Sequence, residues 1–266
     1  MTASIVHEAI RKDGDEELHR PVSALAWSGL AAGLSMGFSF IAEAIFRTYL
    51  PDAHWRPLPL GFVIAIMARQ QLFTENTLTA IIPLLARRNF ATGIAVARLW
   101  AVVLAANLAG AHIFAWVVAD TNAIPSQFHD ALNAIAISTA DVTFGVAMLR
   151  GVFAGWLIAM VVWMLAAVEE GRLWIIIILT YIVAVAGFTH VIAGSVEVLY
   201  LVVTGVKQWT WYAGVYMVPT LLGNIVGGVA LVSALNHAQV VAGIRTGPAE
   251  RISHPHARAS KRESAA

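Results

Sequence analysis

The chain contains no cysteine and few charged residues. Cysteine is absent from all 266 positions, which excludes disulfide bonds, thiolate metal sites and cysteine nucleophiles. Charged residues make up only 12% of the chain and hydrophobic residues 59%, with a mean hydropathy of +0.72. A chain this poor in charge lies outside the composition of soluble domains. The composition indicates an integral membrane protein surrounded by the lipid bilayer.

The sequence also lacks the residue patterns that carry enzyme chemistry. It has no glycine-rich phosphate loop, no ordered set of nucleophile, histidine and aspartate, and no cluster of metal ligands. The paired Asn-Pro-Ala segments of aquaporins are missing as well. We therefore expect no enzyme activity, no cofactor or metal, and no nucleic-acid partner.

Long apolar segments occupy most of the chain. A helix that crosses the bilayer needs about 20 apolar residues, and we predict six spans at 22–46, 58–86, 91–119, 149–168, 173–206 and 211–235. The segment over 120–147 is expected to be amphipathic at most. The predicted domains are a cytoplasmic N-terminal segment over 1–21, a six-span transmembrane domain over 22–236, and a basic, disordered cytoplasmic tail over 237–266.

The distribution of Lys and Arg predicts the orientation of these spans. One side of the predicted spans carries eleven basic residues, and the other side carries four, namely Arg47, Arg56, Arg150 and Lys207. Cytoplasmic loops carry the excess of Lys and Arg. Both termini are therefore predicted to face the cytoplasm.

Two of the six predicted spans are interrupted near their middle by polar and helix-breaking residues, at 70–76 and at 187–190. An unpaired backbone group in hydrocarbon costs several kcal/mol, so such a break survives only inside protein or beside a cavity. Two breaks, one in each half of the chain, indicate a substrate path near the bilayer midplane. The sequence therefore predicts a transport protein.

The two halves of the chain carry the same features in the same order. The first helix of each half has a pair of glycines four residues apart, the second helix is broken, and the third has Asn and Gly three residues apart. These residues are Gly29 and Gly33, Gly151 and Gly155, Asn107 and Gly110, and Asn224 and Gly227. Because each half has three helices, the second half must enter the membrane from the opposite side. The predicted fold is an all-α membrane protein with a 3+3 inverted repeat.

Each break starts a new half-helix at mid-depth, one near Glu75 and one near Ser195. The N-terminal amides and the positive dipole ends of these half-helices favour an anion at the centre of the protein. Thr74 is predicted to cap the first half-helix and Ser195 the second. The alternative is that both hydroxyls only satisfy local backbone groups.

His190 is the histidine deepest in a predicted span, and it lies within the second break. Imidazole can gain or lose a proton under physiological conditions, and ionisable residues inside the membrane are functional candidates. We therefore predict that His190 relays a proton to a weak acid in transit. The alternative is a packing histidine, which is the interpretation we favour for His112 near the outer end of the third span.

Five other charged residues lie within predicted spans, namely Glu43, Arg69, Glu75, Arg98 and Glu197. Opposite charges at mid-depth usually form pairs, so ion pairs are the leading interpretation. Glu75 differs from the others because it lies at the start of a half-helix, where a carboxylate is stabilised. There it would repel a passing anion.

At the two breaks and in the sixth span, the chain resembles the formate/nitrite transporter family. The resemblance is carried by Leu72-Phe73-Thr74-x-Asn76, by Gly187-Phe188-x-His190, and by the segment Gly-Asn-Ile-Val-Gly-Gly over 223–228. It implies an aquaporin-like fold, a homopentamer with one pore in each protomer, and an amphipathic N-terminal helix on the cytoplasmic face. It also implies that Leu72 forms a constriction, that Thr74 bonds the substrate, and that His190 is the central histidine.

The predicted substrate path consists of Leu72, Phe73, Thr74, Glu75, Asn76, Phe188, Thr189 and His190. The chain departs from the family pattern at Glu75, Thr189, Gly194 and Gly155, so several polar partners of the central residues are lost. It resembles the divergent inner-membrane branch of the family. The leading function is a channel or proton-coupled transporter for small monovalent weak-acid anions such as formate and nitrite. The alternatives are a pore for another small or neutral solute, and a non-transporting membrane scaffold.

Oligomer contacts are predicted to use small residues on the two helices with glycine pairs. The charged tail is not expected to contribute to assembly.

Overall fold

The computed structural model describes residues 2–50 and 59–245, and within these residues every regular element is helical. The first half contains α1 (Ala3–His19), α2 (Val22–Tyr49), α3 (Leu60–Met67), α4 (Asn76–Thr79), α5 (Ile81–Arg87) and α6 (Phe90–Asp120). A 3₁₀ turn (Ser126–Phe128) leads into α7 (His129–Ala140), α8 (Phe144–Ala167), α9 (Arg172–Val185) and α10 (Ala193–Val203). The last helix, α11, begins at Trp209 and ends at Arg245, with π-helical stretches at Tyr212–Met217 and Val226–Ala234.

Four of these helices are long and apolar enough to cross a membrane, namely α2, α6, α8 and α11 up to Ala242. Two further segments are interrupted where the sequence predicted breaks. The first consists of α3, α4 and α5, and the second consists of α9 and α10. The prediction of an all-helical membrane protein is confirmed.

Glycines bring the long helices together within the chain. A Cβ at Gly33 on α2 would overlap the carbonyl oxygen of Asn107 on α6, and a Cβ at Gly155 on α8 would overlap the carbonyl oxygen of Asn224 on α11. Only glycine permits such close backbone contact. We predicted that these helices use their glycine pairs between protomers. That prediction is wrong, because the glycines are already packed against a helix of the same chain.

The segment over 120–147 contributes more to the fold than its composition suggested. It forms α7, which packs against α2 and α10. Leu132, Ile135 and Ala136 are buried on one side of α7, with the three-to-four-residue spacing of an amphipathic helix. The buried side of α7 therefore covers part of α10.

The N-terminal helix α1 is amphipathic and packs against α4, α5 and α6. Val6, Ile10 and Leu18 are buried on its inner face. Asp15 of α1 forms a salt bridge of 2.9 Å with Arg87 at the end of α5. These contacts fix α1 across the half-helices that follow the first break.

A pair of histidines joins α1 to the last helix. The ring nitrogens Nε2 of His7 and Nδ1 of His237 lie 2.9 Å apart. Burial lowers the pKa of His7 below its ordinary value, and the neighbouring His237 lowers it further. The neutral imidazole is therefore the form that suits this contact.

The C-terminal prediction needs a correction. A disordered segment was expected from residue 237, but α11 continues to Arg245. Val240 is buried there, and the end of α11 packs against α1, so apolar contacts extend the helix past the membrane domain. Residues 246–266 and Arg56 lie outside the residues that the structure describes.

Candidate substrate site

Both broken helices end in the same backbone geometry. Arg69 and Gly187 have left-handed φ values of 52° and 64°. The amide that follows each residue donates back to the helix, Gln70 N to Ala65 O at 2.9 Å and Phe188 N to Val183 O at 3.0 Å. This six-to-one bond with a left-handed residue is the Schellman C-cap. Each break is therefore an ordered helix end.

An asparagine holds the extended backbone of the first break. Asn107 Oδ1 accepts from Phe73 N at 2.9 Å. Its Nδ2 donates to Gln71 O at 2.8 Å and to Gly29 O at 2.7 Å. One buried side chain thus satisfies two backbone groups of the break, and its third bond ties the break to a carbonyl of α2.

The second break repeats this arrangement. Asn224 Oδ1 accepts from Val191 N at 2.9 Å, and its Nδ2 donates to Thr189 O at 3.0 Å and Gly151 O at 2.9 Å. In each break the asparagine side chain forms hydrogen bonds with the backbone of the residue before and of the residue after one central residue. That central residue is Leu72 in the first break and His190 in the second, so the structure aligns His190 with Leu72.

The two breaks meet at Thr74 and His190. His190 Nε2 lies 2.8 Å from Thr74 Oγ1, and the two side chains are 3% and 0% exposed. The two residues, each predicted to lie on the substrate path, are therefore in direct contact. The ring of Phe62 packs edge-on against the imidazole, with centroids 4.8 Å apart.

The surrounding backbone fixes the proton on one nitrogen of His190. Nδ1 lies 3.1 Å from Ala193 N and 3.3 Å from Ile192 N. Amides only donate, so Nδ1 accepts and carries no proton. The proton of the neutral ring is then on Nε2, which donates to the Thr74 hydroxyl. Thr74 keeps its own hydroxyl proton for another acceptor.

This geometry corrects the predicted caps. His190 caps α10, because its Nδ1 accepts from the first free amides of that helix. Ser195 Oγ instead donates to Val191 O within the helix and accepts from the Tyr212 hydroxyl at 2.8 Å. Thr74 caps nothing, since its hydroxyl faces His190.

The remaining residues of the predicted path have mixed surroundings. Leu72 and Phe73 are 0% and 1% exposed. Asn76 Nδ2 donates to Gln71 Oε1 at 3.0 Å, which ties the start of α4 to the break. These contacts show packing and local support. A role in contact with substrate stays a prediction for all three residues.

In the second break, Phe188 stacks on Phe153 of α8 with ring centroids 5.1 Å apart. The Thr189 hydroxyl donates to Ala147 O at 2.6 Å. Both side chains anchor the break to α8 and its N-terminal end. His190 is therefore the residue of this break whose side chain reaches the first break.

The prediction of ion pairs among the five buried charges is wrong for four of them within the described residues. Glu43 does pair with Arg47, at 3.1 Å. Arg98 Nη2 donates to Leu18 O at 2.6 Å and so caps the end of α1. Glu75 Oε1 is buried and has no hydrogen-bond partner among the described residues.

The other two charges also differ from the prediction. Arg69 is exposed at the end of α3. Glu197 Oε2 accepts from Thr139 Oγ1 at 2.5 Å. Charge signs alone suggested pairs, but the partners depend on depth and on helix ends, which charge signs do not reveal.

A cavity of about 170 Å³ reaches His190 from the side of Arg47 and Arg150. Helix-spaced stripes of three elements form its walls: Ser39, Glu43 and Arg47 of α2, Ile135, Ser138 and Thr139 of α7, and His190, Ala193, Gly194 and Glu197 at the start of α10. The volume corresponds to roughly five waters at ~30 Å³ each, so a solute of a few heavy atoms fits.

Glu197 and Tyr216 line this cavity and were not among the predicted site residues. A signal for Glu197 was present in the sequence, because His190, Ala193, Gly194 and Glu197 follow the spacing of one helical face. Tyr216 had no comparable signal. It reaches Gly194 only because α11 packs against α10.

The chain is similar to known proteins. A family model described as formate/nitrite transporter matches residues 4–238. Inner membrane protein YfdC of Escherichia coli (strain K12) is 39% identical over 244 residues, which cover 90% of this chain and 79% of that protein. The probable formate transporter of Methanothermobacter thermautotrophicus is 25% identical over 195 residues, which cover 66% of this chain and 70% of that protein.

Two solved structures have the same fold. A pentameric formate channel with formate bound matches with a TM-score of 0.64 and 21% identity, covering 87% of this chain and 99% of the channel. A structure described as an FNT family ion channel matches with a TM-score of 0.65 and 16% identity, covering 91% of this chain and 96% of that channel.

Proposed function

This chain belongs to the formate/nitrite transporter family, and we propose that it is a channel or proton-coupled transporter for small monovalent weak-acid anions such as formate and nitrite. The observation that carries this proposal is the hydrogen bond of 2.8 Å between Thr74 and His190. It joins the two breaks, and His190 also lines the cavity. Ordered irregular backbone at mid-depth is a feature of transport sites.

The pair offers an anion a defined partner. His190 Nε2–H donates to Thr74 Oγ1, which leaves the hydroxyl proton of Thr74 free to donate to a carboxylate or nitrite oxygen. The first amides of α10 donate to His190 Nδ1, so the positive end of that helix acts on the anion through the imidazole. The neutral ring carries a single proton, and loss of that proton would leave an imidazolate, so proton relay requires that Nδ1 first takes up a second proton. The imidazolium then gives its Nε2 proton to Thr74 Oγ1, the Thr74 hydroxyl proton passes to the anion in transit, and the ring returns to a neutral form.

We propose six membrane crossings arranged as an inverted repeat of three plus three. Its support is the repeated contact set, in which an asparagine holds each break and a glycine three residues later packs against the first helix of its half. A Cβ at Gly110 would lie 2.8 Å from Leu34 N, and a Cβ at Gly227 would lie 2.7 Å from Trp156 N. Leu34 and Trp156 occupy matching positions, five residues after Gly29 and Gly151.

We propose that both termini face the cytoplasm of a cell whose inner membrane holds the protein. The absence of cysteine makes this testable, since single cysteines can be introduced without background. Ser4→Cys is expected to resist a membrane-impermeant maleimide in intact cells, and Asn122→Cys is expected to react. Labelling of Ser4→Cys without labelling of Asn122→Cys would show the opposite orientation.

We also propose a homopentamer, because a structure of the same fold is described as a pentameric formate channel. Light scattering of the protein in mild detergent is expected to give five copies. Deletion of residues 254–266 is expected to leave that number unchanged. A monomeric parent protein would contradict the pentamer. A pentameric parent with a monomeric truncated protein would contradict the prediction that the tail does not contribute to assembly.

Uptake of labelled formate, nitrite and acetate into proteoliposomes, measured from pH 5 to pH 8, tests the function. We expect uptake of formate or nitrite above that of protein-free liposomes, with a rise as the pH falls. Liposomes whose uptake equals the protein-free control for all three anions at every pH would favour the membrane scaffold.

A further inference from the structure

Two polar groups on the cavity wall take no part in the Thr74–His190 pair. They are the hydroxyl of Tyr216 on α11 and the carboxylate of Glu197 on α10. Both residues line the same cavity as His190, and Glu197 lies two helical turns beyond it. A solute that enters the cavity therefore has both groups on the wall around it.

The Tyr216 hydroxyl is a buried donor without a partner. Tyr216 is 0% exposed, and its hydroxyl has no hydrogen-bond partner among the described residues. Buried polar groups are bonded in more than about 90% of cases, so each exception needs an explanation. Its position depends on Gly194, where a Cβ would overlap the hydroxyl oxygen. The absence of a side chain at residue 194 is what admits the hydroxyl to the wall.

The Glu197 carboxylate is an acceptor on the same wall. One of its oxygens accepts from Thr139 at 2.5 Å. A carboxylate has about four acceptor sites, so this bond leaves Glu197 with capacity for a second donor. Glu43 and Arg150 line the cavity as well, and Glu43 is paired with Arg47, so Glu197 is the carboxylate of this wall that has no ion pair among the described residues.

We propose that Glu197 and Tyr216 form a binding subsite for a small planar solute that carries a hydrogen-bond donor beside a carbonyl oxygen. Glu197 accepts from the donor of the solute, and Tyr216 donates to its carbonyl. Undissociated carboxylic acids and primary amides share this chemistry, and bare anions lack it. The subsite rests on the proposed function, because it selects solutes before they reach Thr74 and His190.

Formamide is the probe that isolates this chemistry, since it is neutral at pH 7 and carries an N–H donor beside its carbonyl. Saturation-transfer NMR titrations of the purified oligomer are expected to show formamide binding, and chloride at the same concentration as formamide is expected not to displace it. Tyr216→Phe and Glu197→Gln are each expected to weaken formamide binding about tenfold, the factor for one lost hydrogen bond. Gly194→Ala is expected to act like Tyr216→Phe, because it displaces the hydroxyl.

Tyr181→Phe and Glu169→Gln are the matched controls, since they remove the same groups from residues that do not line the cavity. Both are expected to bind formamide as the parent does. Formate titrated at pH 7 and pH 6 separates the two solute types. If the subsite binds undissociated formic acid, the apparent affinity for formate rises about tenfold from pH 7 to pH 6, because the undissociated acid becomes about tenfold more abundant. If the subsite binds only amides, the apparent affinity for formate stays unchanged.

Equal formamide binding in the parent, Tyr216→Phe and Glu197→Gln would overturn the subsite, as would displacement of formamide from the parent by an equal concentration of chloride. Formamide binding that depends on Tyr216, in a protein that takes up no formate or nitrite, would support the subsite and refute the proposed function. Formate uptake by a protein whose formamide binding is unaffected by either variant would support the proposed function and refute the subsite.

Discussion

The two breaks have the same backbone support but present different side chains. Asn107 and Asn224 make matching sets of three hydrogen bonds to the backbone. The residue held at the centre is the apolar Leu72 in one break and His190 in the other. The repeat therefore supplies a scaffold with two equivalent openings in the helix. At this central position, a titratable side chain is placed in only one of them.

The half-helices that follow the breaks also differ in what covers them. The first, α4 with α5, is covered by the N-terminal helix α1. The second, α10, is held by tyrosines of α11, with Tyr212 bonded to Ser195 and Tyr216 against Gly194. A similar backbone is thus enclosed by an amphipathic surface helix in one half and by a membrane helix in the other.

The largest expected effect comes from the asparagines. Asn107→Ala and Asn224→Ala each leave two buried backbone groups of a break without partners, at about 1–3 kcal/mol for each group. We expect each variant to lose at least about 2 kcal/mol of the free energy of unfolding, measured by denaturation in mild detergent. Asn122→Ala at an exposed position is the control. A loss in only one of the two variants would show that the breaks are not equivalent.

Much of this scaffold could be predicted from the sequence. Polar residues inside two apolar segments located both breaks, and the matching Asn and Gly positions located their supports. The pairing of Thr74 with His190 followed because each lies in a break. The sequence could not reveal that the imidazole caps α10, because Ser195 is the better capping residue and only the backbone path shows that its hydroxyl bonds within the helix.

The next effect is at the centre of the second break. His190→Asn retains an acceptor for the amides of α10, and it loses both the donor to Thr74 and the ability to titrate. We expect formate uptake by proteoliposomes to fall about 100-fold, the range for removing a positioned proton donor, and its pH dependence to disappear. An Asn variant with the pH profile of the parent would assign His190 a packing role.

A smaller effect distinguishes the two helix ends. Arg69 and Gly187 hold equivalent left-handed positions, which favour glycine over other residues by roughly 1 kcal/mol. Arg69→Gly is expected to stabilise the protein and Gly187→Ala to destabilise it, each by about 1 kcal/mol in the same denaturation assay. Gly145→Ala, where a Cβ meets open space, is the control. Stabilisation by Gly187→Ala would contradict the assigned backbone geometry.

The smallest expected effect concerns α1, the N-terminal helix that covers α4 and α5. The pKa of His7 is lowered by burial and by His237 from 6.5, so the folded state binds its proton less readily than the unfolded state. The contribution of His7 to the free energy of unfolding is therefore complete above about pH 6.5, and it is lost as the pH falls below that value. Hydrogen exchange in α1, corrected for intrinsic rates, is expected to be faster at pH 5.5 than at pH 7.5.

His7→Gln is expected to remove most of this difference in exchange, since glutamine does not titrate. His19→Gln, at an exposed position of the same helix, is the control and is expected to behave like the parent. The charged neighbours Glu8, Arg11 and Arg88 are kept in every variant. Exchange in α1 with the same pH dependence in His7→Gln as in the parent would contradict the role of this contact.

A double-mutant cycle on formate uptake tests the central claim that Thr74 and His190 act as one unit. Thr74→Val, His190→Asn and the double variant are compared with the parent at one pH, with Thr180→Val as the control for a buried hydroxyl that bonds within its own helix. Residues that act together are not additive. We predict that Thr74→Val alone lowers uptake about tenfold and that the double variant is no slower than His190→Asn. Losses that multiply would contradict the account.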